Sequence, residues 1–284
     1  MTIIGVSGST KCDWAILHVQ GKVVRCSTRG INPLFHDEDD IAAIIQSSAV
    51  LTEHARDTEA VFIYGAGCSS RSRQNIVRNA LSVVFTRAHR VVNHDIVASA
   101  LATYRGEPII AAILGTGSNA CYYDGDIVRQ EVPALDYILG DEGGGAYFGK
   151  QLLNAFLYRK LPAEIQSEFE NSYQLTRDDI LEKVYQEPYA NVYLASFMPF
   201  IQTHQESPYF KNMLLKGFRK FFETQITSFP KHQQVTVHFT GSVAYYFQEL
   251  LNEVAREFKV KTGMFLKEPI EGLITYHENK LKSA

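Results

Sequence analysis

Through the first third of the chain, short apolar runs alternate with longer stretches of mixed polarity. Residues 3–6 form an apolar run closed by the polar turn Ser7-Gly8-Ser9-Thr10-Lys11. A second run, 14–19, reaches Gly21-Lys22, and a third follows at 23–26. Two strand-like runs around Gly-Lys predict a hairpin. Residues 37–49 carry acids in the first turn and set Ile41, Ile44 and Ile45 on one side, which predicts a helix. Residues 61–64 predict a strand running into Gly65-Ala66-Gly67, 75–85 a helix, 90–92 a strand and 96–104 another helix. Strands separated by helices of this length imply βαβ crossovers and a sheet with parallel strands.

Beyond Gly149 the pattern turns helical. Residues 150–160, 178–186, 192–204 and 208–229 carry apolar positions at three- and four-residue spacing. Residues 234–239 predict a strand, 243–258 a helix, 260–265 a further strand, and a final helix begins near Pro269. A weak internal repeat links the first hairpin to a second one at an offset of 109 residues, pairing Gly8 with Gly117, Ser9 with Ser118 and Cys12 with Cys121. Duplicated strand–turn–strand units imply two related lobes.

Composition narrows the choice of function. Fifteen of the 19 glycines fall within the first 149 residues, so tight turns and close backbone approaches concentrate there. Lys plus Arg (28) against Asp plus Glu (31) leaves a net charge of -3, with no basic excess to displace counterions from a nucleic acid. The four cysteines, Cys12, Cys26, Cys68 and Cys121, make no C-x-x-C pair and have no histidine at metal-ligand spacing. The chain opens on a strand-like run rather than a basic leader, and no stretch reaches about 18 apolar residues. Free thiols without an export signal place the expected location in the cytoplasm, with no membrane partner.

Five segments carry candidate chemistry. Ser7-Gly8-Ser9-Thr10-Lys11 follows a strand, and its backbone N–H groups can cradle phosphate oxygens while Lys11 adds a point charge. It lacks the Walker spacing, and an ordinary hairpin turn would look the same. Gly115-Thr116-Gly117-Ser118-Asn119 again follows an apolar run, and two such loops could hold a triphosphate. Gly241-Ser242 stands where a strand opens a helix, a place suited to an anion or nucleotide, though such junctions are usually structural. Residues 139–149 put Asp141 and Glu142 beside three consecutive glycines, either a ligand approach or a solvated acidic turn. Finally, Asp95 in Asn93-His94-Asp95 lies at a strand end, as a helix cap or as a general base at the carboxyl edge of a sheet.

Taken together and in order, these segments resemble the BadF/BadG-type ATPase-like family and its N-acetylglucosamine kinase members, within the sugar kinase, heat-shock ATPase and actin superfamily. In that resemblance Ser7-Gly8-Ser9-Thr10-Lys11 is the first phosphate loop and Gly115-Thr116-Gly117-Ser118-Asn119 the second. Gly241 and Ser242 belong to the adenosine loop, residues 139–149 to the sugar-side loop, and Asp95 takes the catalytic position. Gly30-Ile31-Asn32-Pro33 is similar to the family's sugar-contacting stretch, which puts Asn32 on the sugar. The implied fold is α/β, two ribonuclease H-like (actin-like ATPase) lobes with an interlobe cleft: residues 1–105 with 269–284, and 106–268. Two positions depart from the family. Val6 stands where an acid helps to hold Mg²⁺, so no metal ligand is assigned, and Ala134-Leu135-Asp136-Tyr137 replaces a Trp-Gly-like stretch.

The resemblance implies ATP-dependent phosphorylation of an amino sugar, N-acetylglucosamine at its 6-hydroxyl, with ATP and Mg²⁺ as cofactors and sugar and ATP as the small-molecule partners. Asp95 is the expected base. Asn32, Asp95, Asp141 and Glu142 are expected on the sugar, with Gly67, Cys68 and Ser69 lining its pocket. A homodimer, common among such kinases, is an open expectation. Two alternatives stand beside this reading: a sugar or nucleotide sensor that kept the fold without turnover, and a partner-coupled ATPase. The latter branch carries an iron–sulfur cluster on paired cysteines in a glycine-flanked loop, a pattern this sequence lacks.

Overall fold

A computed structural model describes residues 1–18 and 21–283; Val19, the end of the second expected run, lies outside the described residues, as does residue 284. The chain divides into two compact units, Met1–Arg105 with Glu268–Ala284, and Gly106–Lys267.

The first unit holds β1 (Thr2–Ser7), β2 (Lys11–Leu17), β3 (Val23–Arg29), β4 (Ala60–Gly65) and β5 (His89–His94) in the order β3-β2-β1-β4-β5. β2 runs antiparallel to β1 and β3, while β4 and β5 run parallel to β1. One face of the sheet buries Ile3, Trp14, Ile16, Val61 and Ile63 in a single core with Ile41, Ile45, Val77 and Leu81, from helices Glu38–Gln46 and Arg71–Val84. Gly5 is required there, because a Cβ would come within 2.7 Å of the Trp14 ring. Helix Asp95–Thr103 packs along the C-terminal helix Ile270–Ser283, and the buried Tyr64 hydroxyl shares a 3.0 Å hydrogen bond with His277 Nε2. Burial, with Lys280 nearby, pushes His277 down to about 4, so the ring is neutral.

The second unit holds β6 (Ile109–Leu114), β7 (Ser118–Tyr123), β8 (Val128–Arg129), β9 (Thr236–Thr240) and β10 (Lys261–Leu266) in the order β10-β9-β6-β7-β8. Read from the opposite edge, this is the succession of the first sheet, with an antiparallel hairpin on one side of the leading strand and two parallel strands on the other. The duplication is therefore real at the level of the sheet. The residue pairing expected from the 109-residue offset is not: Cys12 stands opposite Ser7 at its hairpin's tip, whereas Cys121 stands opposite Ala111, well inside the strands.

Between β8 and β9 lies a helical insertion whose core is largely aromatic, with Phe148, Phe169, Phe197, Phe210, Phe218 and Phe221 all buried. Several boundaries differ from those expected. The stretch 192–204 is two helices, Ala190–Ala195 and Met198–Thr203, because Pro199 fits only a first turn. The stretch 208–229 is α-helical over Pro208–Phe221 and π-helical over Phe222–Ile226. The stretch 243–258 breaks at Phe247 into Ser242–Tyr246 and Gln248–Glu257. Helix 37–49 ends at Gln46, its start fixed by a capping box between Asp37 and Asp40, and Ser48 caps a further helix, Ala49–His54. Helix Ala163–Tyr173 was not expected at all; it buries only Ile165 and Phe169, too thin a stripe to show as periodicity. No helix among the described residues is long and apolar enough to cross a membrane.

Candidate active site

Each unit carries a glycine-bearing loop at the tip of its leading hairpin. In the first unit Gly8 N–H donates to the Lys11 carbonyl at 3.0 Å and closes the turn after β1. This loop is bound side by side to residues 30–32. Gly30 N–H donates to the Thr10 carbonyl at 3.0 Å, and a Cβ on Gly30 would run into the Gly8 carbonyl oxygen. Ser7 is buried, and its hydroxyl accepts from Ile31 N–H at 2.7 Å. Asn32 is buried too; its amide donates to Ser9 Oγ at 3.4 Å and its Oδ1 accepts Leu34 N–H at 3.0 Å. Ser7 and Asn32 thus serve as fasteners of the loop, and Gly8, Ser9 and Thr10 form its accessible rim.

Lys11 turns back along the sheet. Its ammonium lies 2.9 Å from Asp13 and 3.0 Å from Glu268. Partial burial works against the charge, but the two carboxylates outweigh it and raise the Lys11 pKa. Asp13 is raised by burial, with Lys11 opposing. Val6 stands directly across from Asp13 on β2 and beside Tyr64 on β4. For the Mg²⁺ implied by the family resemblance, the fit is poor. Val6 has no ligating atom, its nearest cross-strand carboxylate is already held by Lys11, and the described residues contain no cluster of three or more His, Cys, Asp or Glu able to hold a metal ion.

Asp95 opens helix Asp95–Thr103 at the carboxyl end of β5, and His94 Nε2 lies 3.2 Å from its Oδ1. After β4, Gly67 adopts φ +76 against Asn32, where a Cβ would strike the Asn32 Oδ1. Cys68 does not present its thiol to a ligand: the side chain is buried in the apolar core, and burial pushes it up to about 12. Ser69 is exposed and accepts from Arg73 at 3.4 Å.

In the second unit Gly115 N–H donates to the Gly117 carbonyl at 3.0 Å. Asp141, at φ 57, accepts Ser118 N–H at 2.9 Å, and a Cβ on Gly117 would lie 2.6 Å from the Asp141 carboxylate. Gly145 and Ala146, the first N–H groups of helix Gly145–Leu157, donate to the Gly115 and Thr116 carbonyls, both at 2.8 Å. Asp141 therefore shapes the loop. Glu142 is half-buried and acts on Tyr147, whose phenol is raised by burial and then by the Glu142 charge. Asn119 is committed to the sheet, its Oδ1 accepting from Ala120 and from Gln130. Ser118 differs: its hydroxyl is buried and makes no hydrogen bond, so a polar ligand at this loop would satisfy it. That orphan, beside glycine-freed backbone, fits a nucleotide phosphate.

Gly241, at φ +106, has no room for a Cβ against the Leu114 carbonyl, and so brings Ser242 close to the second loop. Ser242 and Val243 line a cavity of about 260 Å³ with Met198, Pro199, Tyr246 and Phe247. Sequence reading missed Met198, Pro199 and Tyr246, because an inserted helix and an exposed tyrosine carry no motif.

No protein-family model and no curated protein matches the sequence. Among solved structures, one from Porphyromonas gingivalis, described as a "putative N-acetylglucosamine kinase", shares 36% identity over 98% of this chain and 99% of its own, with a TM-score of 0.91. Another of the same description, from Chromobacterium violaceum, is 14% identical over 97% and 98%, with a TM-score of 0.71. A ROK family glucokinase from Streptomyces griseus, in complex with glucose and AMPPNP, is 15% identical over 97% of both chains, with a TM-score of 0.55. The last two likenesses concern the fold.

Proposed function

The chain belongs to the N-acetylglucosamine kinase-like sugar kinases of the actin-like ATPase fold, and from that membership we propose that it transfers the γ-phosphoryl group of ATP to the 6-hydroxyl of N-acetylglucosamine. The observation that carries this reading is the 36% identity sustained over 98% of the chain. The orphaned Ser118 hydroxyl and the cavity at Ser242 support a nucleotide in the second unit.

In this reading the loop at residues 115–118 offers its N–H groups to phosphate and the Ser118 hydroxyl gains a partner, while in the first unit the loop at residues 8–10 offers N–H groups of the same kind. The cavity beside Ser242 receives the adenosine end. Asp95 accepts the proton of the 6-hydroxyl as its oxygen attacks, a role open to a carboxylate at the carboxyl edge of a sheet. The sugar meets Gly67, Ser69 and Asp95 of the first unit, where Asn32 holds its loop in shape; in the second unit Asp141 does the same for the 115–118 loop. Because phosphoryl transfer rests on positioning and charge neutralisation, these loop fastenings matter as much as the base.

A second reading, a sugar- or nucleotide-binding sensor without turnover, is favoured by one observation: Val6 offers no carboxylate and Lys11 is spent on Asp13 and Glu268. A coupled ADP-release assay over hexoses and N-acetylhexosamines separates the two. Saturable ADP release with N-acetylglucosamine supports the kinase. Sugar binding by calorimetry without ADP release would support the sensor.

A further inference from the structure

Asn32 stands at the junction of two loops of the first unit. Its side-chain amide donates to Ser9 Oγ, on the rim of the loop after β1, at 3.4 Å, and its Oδ1 lies against Gly67, where no Cβ fits. The backbone of Asn32 is gripped twice by one residue, His36. The Asn32 N–H donates to His36 Nδ1 at 3.3 Å, and the His36 N–H donates back to the Asn32 carbonyl at 3.0 Å. Both residues are buried. The first of these bonds uses the ring, so it depends on the protonation state of an imidazole.

We propose that His36 is a positioning residue for sugar binding: its neutral ring, by accepting the Asn32 N–H, fixes the Asn32 side chain between Ser9 and Gly67. The inference deepens the proposed reading of Gly67, Ser69 and Asp95 as sugar-facing residues and rests on it. An Nδ1 that accepts must keep its lone pair, so the hydrogen bond assigns the ring's proton to Nε2. Protonating the ring puts an N–H at Nδ1 that faces the Asn32 N–H. Two donors then meet, and the bond is lost. Asn32 keeps only the backbone half of its tie to His36, and the settings of Ser9 and Gly67 loosen with it.

Burial is the largest influence on the ring and holds the His36 pKa below the ordinary 6.5. Asp40 and Asp37, the capping pair of helix Glu38–Gln46, favour the imidazolium, and Arg29 at the end of β3 opposes it. Cys68, on the turn after β4, is neutral, its thiol pushed up to about 12. Helix Arg71–Val84, packed on Glu38–Gln46, has Arg73 bonded to Ser69 and Asn79 to Glu38. The grip is therefore complete above pH 6.5 and is lost as pH falls through the lower folded value.

The test measures the dissociation constant of N-acetylglucosamine by calorimetry between about pH 5 and 7.5, a range in which the sugar has no titrating group. His36→Asn places Oδ1 where Nδ1 stood, an acceptor that does not titrate, and His36→Leu removes the acceptor. Far-ultraviolet circular dichroism checks the fold of each at both ends of the range. In wild type the constant is expected to rise about three- to tenfold from the top of the range to the bottom, the scale of one lost hydrogen bond. His36→Asn should show no such rise, and His36→Leu should bind weakly throughout. A flat wild-type curve, or the same rise in His36→Asn, would overturn the role of His36 and leave the kinase standing. A wild type that binds no sugar at any pH would overturn the proposed substrate and the sugar role of His36 with it. Independently of any ligand, the Asn32 amide in a proton–nitrogen NMR titration should move with the His36 ring, at a midpoint below 6.5, and stay fixed in His36→Asn. An Asn32 amide indifferent to the ring's titration would overturn the grip itself.

Discussion

The Ser7 hydroxyl serves both backbone groups of Ile31, accepting its N–H at 2.7 Å and reaching its carbonyl at 3.0 Å. One buried side chain at the end of β1 thereby fixes the segment that carries Asn32. Ser7→Ala strands a buried N–H, which costs about 1–3 kcal/mol. Trp14 is the sole tryptophan and lies in the same unit's core, so the loss should appear as a lower urea midpoint of its fluorescence. The Michaelis constants for sugar and for ATP should rise together in this variant, since both loops lose one fastening.

Asp95→Asn keeps the size of the side chain but cannot accept a proton. Turnover is expected to fall by about 100-fold or more with little change in sugar affinity, on the usual scale for general-base loss. Steady-state ADP release and sugar calorimetry measure the two quantities. Wild-type turnover in the variant would leave Asp95 as a helix-opening residue only.

Val6→Asp would put a second carboxylate directly across the β1–β2 pair from Asp13. Like charges at facing positions destabilise a sheet by up to about 1 kcal/mol. The variant should melt below wild type in EDTA and recover on adding MgCl₂, whereas the wild type, without a fitting site, should not respond to MgCl₂ in the absence of nucleotide. Equal melting of the two proteins in EDTA and in MgCl₂ would contradict the placement of Val6 beside Asp13.

His277 gives unit one a pH dependence. Its folded value of about 4 lies below the ordinary 6.5, chiefly through burial. As pH falls below 6.5 the unfolded chain takes up this proton first, so stability is complete above that point and declines towards pH 4. The decline is at most about 1.4 kcal/mol per pH unit, or about 3 kcal/mol over the window. His277→Gln should flatten the curve of Trp14-monitored stability between pH 4.5 and 6.5, ranges set by the same linkage. A wild-type curve that is flat there would count against the buried neutral ring.

Gly149→Ala sets two effects against each other. Alanine favours a helix interior by about 1 kcal/mol over glycine. A Cβ at Gly149, however, would collide with the backbone carbonyl of Leu194 on the neighbouring helix Ala190–Ala195, which cannot rotate away like a side chain. The collision should win. A lower melting temperature by far-ultraviolet circular dichroism is expected, and a higher one would show that the two helices can separate without cost.

Much of this was readable from the sequence because strands and their glycine turns leave local marks. The runs at 3–6, 61–64 and 260–265 fall on β1, β4 and β10, and the loops at Gly8 and Gly117 lie at hairpin tips as their glycines implied. What stayed hidden is directional. A buried Ser7 and a half-buried Ser9 look alike in a string of letters, yet one bonds the Ile31 backbone and the other rims the loop. Asn119 and Asp141 likewise carry the right chemistry for a ligand and spend it on Gln130 and Ser118. β7 offers no alternation to reveal its facing, because all six of its residues are buried.

The C-terminal helix joins a unit whose other members were made first. Phe62 and Tyr64 meet the His277 ring, Gly272 packs on Ala102, and Glu268 holds Lys11. All of these contacts wait until the intervening Gly106–Lys267 has been translated. At ordinary rates of synthesis that interval lasts about ten to thirty seconds. For its duration the nascent first sheet has one of its covering helices missing, with Tyr64 and Phe62 accessible on that side. The intervening unit, contiguous in sequence, can complete its own core in the meantime. A chaperone that recognises aromatic strand surface would therefore find its target on the sheet of the first unit, and would be displaced when helix Ile270–Ser283 docks.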